Sequence, residues 1–137
     1  MSNVEPGVGI PLDKIPVHFA ASGAASPIDG FTFDPSAFEA YIATNTTSAD
    51  PGRLVFIERS AESWKMWECH QAGDEMVIVI AGVAVFIQEI DGAEVRTRVN
   101  VGQAVLNPAG TWHTADVEEP FTAIYLTPCP GTEHRPR

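Results

Sequence analysis

Between Arg53 and Thr127 the chain breaks into short runs of β-branched and aromatic residues separated by turn signals, and this pattern constrains the fold most. The runs are 54–57, 64–70, 75–80, 83–90, 94–99, 103–106, 112–117 and 121–127. They predict about eight antiparallel strands, and so many in so short a segment predict an all-β sandwich or closed barrel. Asp91-Gly92 is the sharpest hairpin signal, because a type I′ turn needs positive φ at both central residues. Before Arg53 the pattern differs. Frequent Pro and Gly up to Gly30 allow only short extended pieces, an arm or lid. Asp34 then reads as the N-cap of one short helix, with Pro35 at its first position and Phe33 and Phe38 spaced as a staple. Phe38, Tyr41 and Ile42 share its buried face. The expected organisation is an N-terminal arm and short helix over 1–52, a β-barrel over 53–128 and a C-terminal tail over 129–137.

The length of 137 residues suits one domain. Eight Lys and Arg against eighteen Asp and Glu give a net charge of −10, which works against nucleic acid and anionic membrane surfaces as partners. No run approaches the roughly 20 apolar residues of a membrane span, and no basic-then-apolar leader opens the chain. Two cysteines, Cys69 and Cys129, make no dense disulfide framework; reduced thiols and a cytoplasmic location are expected.

Period-two alternation assigns faces. In 64–70, Trp64, Met66, Glu68 and His70 share one face, with Lys65, Trp67 and Cys69 opposite. Glu75 lies with Val77 and Val79, and His113 with Ala115 and Val117. All four ionisable groups are therefore expected to point inward. Carboxylates at such positions require a cation, a hydrogen-bond network or a raised pKa.

These residues form two motifs: Glu68-Cys69-His70, four residues, Glu75, six residues, Gly82; then Gly102, five residues, Pro108-Ala109-Gly110-Thr111-Trp112-His113. The arrangement resembles the paired signatures of the cupin superfamily, G-x5-H-x-H-x3,4-E-x6-G and G-x5-P-x-G-x2-H-x3-N. Three positions depart from it: Glu62 replaces the first glycine, Glu68 the first histidine and Val117 the closing asparagine. The resemblance implies a double-stranded β-helix, the cupin or jelly-roll barrel, with metal ligands at His70, Glu75 and His113.

Imidazole and carboxylate suit first-row divalent ions, and two His with one carboxylate form an open facial triad for Fe, Mn, Zn or Ni alike. Glu68, two residues from His70 on the same face, is either a fourth ligand or a catalytic base. With two Glu, a divalent ion and neutral His the site sums to zero, which suits a largely neutral small molecule. Two functions follow: a metal-dependent enzyme of oxygenase, isomerase or hydrolase type, or a small-molecule binding or sensing module without turnover. Cys69 reads as a small buried hydrophobe facing away, Trp112 as packing, and Tyr125 as core or pocket wall. His18 and His134, in Pro-rich ends, receive no role. Trp67, Met76, Ile78 and Ile80 face outward and need cover, and with the resemblance this predicts a homodimer in which the arm takes part.

Overall fold

The computed structural model describes residues 4–137, so the first three residues of the expected arm lie outside the described residues. Two antiparallel sheets face each other. The six-stranded sheet runs in the order β2 (Ala25–Pro27), β1 (Val17–Phe19), β3 (Arg53–Ser60), β10 (Phe121–Thr127), β5 (Glu75–Ala81) and β8 (Ala104–Asn107). The five-stranded sheet runs β11 (Glu133–Pro136), β4 (Met66–Cys69), β9 (His113–Asp116), β6 (Ala84–Ile90) and β7 (Ala93–Val99). Each of the eight expected runs forms a strand. Asp91 and Gly92 join β6 to β7 at φ 52° and 78°, with Ile90 opposite Ala93. Three short strands lie outside 53–128: β1 and β2 come from the arm, and β11 comes from the segment expected to be a tail.

Alternation places the core between the sheets. Leu54 and Phe56, Val77 and Val79, and Phe121, Ala123 and Tyr125 point inward from the first sheet, against Ala84, Phe86 and Ala115 of the second. The Phe86 ring meets Phe121 edge-on at 5.6 Å. The helix α1 (Pro35–Asn45) begins where expected: the Asp34 carboxylate accepts from the backbone N–H of Ala37 at 2.9 Å and from the hydroxyls of Thr32 and Ser36. Those bonds hold the Asp34 pKa down at about 2. The staple is a ring cluster: Phe33 and Phe38 each meet Phe31 edge-on, at 4.8 and 5.0 Å, and pack toward Phe56. Tyr41, buried, bonds His18 of β1 at 2.6 Å and ties the helix to the arm, a role for His18 that the sequence did not reveal.

Trp67 belongs to a different sheet from Met76, Ile78 and Ile80, so the four do not form one patch. Trp67 is covered by its own chain: the Arg135 guanidinium lies 5.2 Å over its ring and 4.5 Å over Trp112, and pairs with Glu89. Arg137 and Arg96 both grip Asp116 on the same outer surface. On the six-stranded sheet, Met76 and Ile78 are half-buried while Ile80 and Leu106 stay exposed.

Gly82 turns the chain between β5 and β6 at φ 72°, and a Cβ there would meet the Pro120 carbonyl oxygen at 2.2 Å. Backbone has to move to admit any side chain. Gly82→Ala is expected to cost about 2–4 kcal/mol, read from the urea midpoint. Gly9→Ala, at a position with open space and no positive φ, stays within about 0.5 kcal/mol of the parent.

Candidate metal centre

Strand register sets four inward polar residues of the five-stranded sheet in a row. His134 of β11 lies opposite Glu68 of β4, Glu68 opposite His113 of β9, and His113 opposite Gln88 of β6. The six-stranded sheet answers with Glu75 of β5 opposite Asn107 of β8, beside Thr127 of β10. His70, just past β4, completes the group. The structure thus brings Glu68, His70, Glu75 and His113 together inside the barrel.

Glu75 sits between the rings, with its oxygens 3.2 Å from His70 Nε2 and 3.4 Å from His113 Nε2. Its orientation is fixed. Oε1 accepts from Asn107 Nδ2 at 2.9 Å, Asn107 Oδ1 accepts from Gln88 Nε2, and Oε2 accepts from the Thr127 hydroxyl at 2.7 Å. Burial opposes the charge on this carboxylate, but His70, His113 and Thr127 together hold its pKa below the ordinary value.

Both histidine tautomers follow from their outer partners. His113 Nδ1 lies 3.0 Å from the Thr111 carbonyl oxygen, which only accepts, so Nδ1 carries the proton. His70 Nδ1 lies 2.8 Å from Thr132 Oγ1, whose own hydrogen goes to the Cys129 carbonyl, so this Nδ1 also donates. In the neutral rings both Nε2 atoms therefore present lone pairs to the interior. Both are buried without a hydrogen-bond partner, beside carboxylate oxygens that also carry only lone pairs. Lone pairs facing one another at such distances require a cation or a proton between them. Glu68, His70 and His113 each offer an atom within 4.8 Å of the other two, and with Glu75 this donor set suits a divalent ion.

Glu68 differs from Glu75 in setting. Its side chain is a third exposed, with Oε2 at 3.8 Å from both Nε2 atoms and Oε1 at 3.4 Å from His134. Given no role from its sequence setting, His134 is the partner of Glu68, whose hydrogen bond and charge raise the imidazole pKa. The outer bonds from Thr132, Asn107 and Gln88 were likewise not legible. Cys69 and Cys129 are free buried thiols; Cys69 faces away from the site, while Cys129, its pKa pushed up to about 12 by burial, lines the cavity beside it.

That cavity measures about 670 Å³. Helix α1 forms one wall through Phe38, Glu39 and Ile42, and Phe56, Glu58, Trp64 and Tyr125 line the strand side.

Three solved structures show a likeness to this chain. The uncharacterized conserved protein with a double-stranded beta-helix domain from Klebsiella pneumoniae subsp. pneumoniae MGH 78578 is 20% identical over 62% of this chain and 76% of that one, with TM-score 0.51. The vicilin from Solanum melongena is 18% identical over 62% of this chain and 26% of its own, with TM-score 0.50. The DMSP lyase DddQ from Ruegeria pomeroyi DSS-3 is 25% identical over 55% of this chain and 36% of the lyase, with TM-score 0.44. This chain thus spans about a third of the lyase and a quarter of the vicilin. No protein-family model and no curated sequence matches it. The architecture is a double-stranded β-helix with one helix at the mouth and a His/Glu cluster inside. The fold is the double-stranded β-helix that the two motifs led us to expect.

His70 and His113 compete for a proton around Glu75. For His70, burial opposes protonation, but Glu75, which would accept from a protonated Nε2 and attracts its charge, outweighs it and raises the pKa. For His113 burial prevails and the pKa falls. With their ring centroids 5.0 Å apart, the two do not charge together. NMR titration of chelator-treated protein is expected to show His70 losing its proton above the ordinary imidazole value and His113 below it; coincident titrations would contradict this geometry.

Proposed function

We propose that His70, His113 and Glu75 hold a divalent ion and that the protein is an enzyme acting on a small molecule in the adjoining cavity. The observation that carries this reading is the convergence of two unpartnered, buried Nε2 lone pairs on a carboxylate fixed by Asn107 and Thr127. An ion held by these residues would supply Lewis-acid or redox chemistry. A cavity of about 670 Å³ supports turnover of a small molecule, since ligand sites begin near roughly 300 Å³.

The chain's own residues divide the work. Thr132 and the Thr111 carbonyl orient the rings, and Asn107, Gln88 and Thr127 hold Glu75 in place. Glu68 faces the centre from the cavity side, reached by solvent and paired through Oε1 with His134, and this setting suits a group that moves a proton to or from the bound molecule.

Elemental analysis tests the assignment. His70→Ala and His113→Ala are each expected to abolish stoichiometric metal, while Cys69→Ala leaves it unchanged and Glu68→Gln retains it. Full metal in both histidine variants would place the ligands elsewhere, and loss in Glu68→Gln would move Glu68 into the ligand set.

Proton competition gives the pH dependence its sign. The raised pKa of His70 means that the metal-free site holds a proton that an ion must displace, so apparent affinity strengthens as pH rises through that value and weakens below it. Calorimetry in two buffers of different ionisation enthalpy is expected to show protons released on ion binding, with the number falling as pH rises through the His70 value.

A further inference from the structure

The cavity wall carries a charge and ring pattern that selects among small molecules. Four carboxylates, Glu39, Glu58, Glu68 and Glu75, line it with His70 and His134, and no lysine or arginine does. Set against those four, a divalent ion would still leave the wall net negative. Glu58 has no ion-pair or hydrogen-bond partner among the described residues. It follows Phe56 on the inward face of β3, and Phe56 stacks on Tyr125 at 5.1 Å. Trp64 stands 6.4 Å from Tyr125, and Phe33 and Phe38 meet Phe56 edge-on. Aromatic rings thus line the same cavity as an uncompensated carboxylate that is open to solvent.

The Tyr125 hydroxyl supplies a second observation. The residue is 3% exposed and lines the cavity, and its oxygen lies near the Ser60 hydroxyl without a well-formed hydrogen bond to it. The neighbouring Ser60 hydroxyl accepts from Trp64 Nε1. Burial, with the surrounding carboxylates, keeps the phenol protonated and hence a donor that seeks an acceptor. An aromatic face attracts a cation through its quadrupole, and a carboxylate beside it repels anions.

We propose that the cavity takes a small organic ammonium compound bearing an oxygen, with the cationic head against Phe56, Trp64 and Glu58 and the oxygen accepting from Tyr125. The inference rests on the reading that this cavity holds the enzyme's small molecule, and it names the chemical class of that molecule.

Three probes of nearly one shape separate charge from fit: choline, its uncharged isostere 3,3-dimethylbutan-1-ol, and the anion 3,3-dimethylbutanoate. Each is titrated calorimetrically into the full chain, and the metal content of every sample is measured. Choline is expected to bind about tenfold or more tightly than the neutral alcohol, with the anion weakest. Glu58→Gln is expected to bring the two alcohols within about twofold, and Tyr125→Phe to weaken both alike by about fivefold. Equal binding of the alcohols, tighter binding of the anion, no binding of any probe at millimolar concentration, or undiminished selectivity in Glu58→Gln overturns the proposal. The wild-type comparison stands even where a variant fails to fold. Cation selectivity in protein that takes up no ion supports this inference and overturns the metal assignment; full ion stoichiometry without selectivity does the reverse.

Discussion

A carboxylate buried inside a β-barrel is the condition to which the rest of this structure answers. Glu75 sits on a strand whose other inward residues are Val77 and Val79, so its charge has no solvent to lean on. Compensation arrives from four other strands and a loop. Asn107 and Thr127 fix the oxygens, Gln88 fixes Asn107, and the two imidazoles bracket the group. Removing one of these partners strands a buried polar atom, which costs more than the bond itself contributes.

The polar groups lie in one transverse belt because antiparallel register sets them abreast. On one side of the belt the interior is hydrocarbon, with Phe86, Phe121 and Val79 filling the space between the sheets. On the other it opens into the cavity, bounded by α1. The helix holds that position by its capped start at Asp34, its ring cluster around Phe31 and its anchor from Tyr41 to His18. Chemistry and packing are thus separated along the barrel axis, and neither weakens the other.

Much of this was legible in the chain. Alternation put Glu68, His70, Glu75 and His113 on inward faces, and the β-branched runs located eight strands. The unread parts share a cause. Thr132, Gln88 and Asn107 reach the site through pairing between distant segments, and local patterning carries no register. Strand β11 has no β-branched residue and contains Pro136, so only its pairing with β4 reveals it, and with it the partner of Glu68. The cover over Trp67 was missed for the same reason. Alternation tells in from out but not which sheet a strand joins, so it groups Trp67 with Ile80 in a patch that the fold divides.

The belt also limits how this chain can change length. His134, Glu68, His113 and Gln88 come from four adjacent strands, each contributing one residue to the same line. One residue inserted within β4 would turn Trp67 and Cys69 inward and Glu68 outward, exchanging the polar and apolar faces of that strand. Length variation in this barrel is therefore confined to the turns, such as Asp91-Gly92, that lie off the line, and within the belt strands only paired insertions keep the parity on which the interior depends.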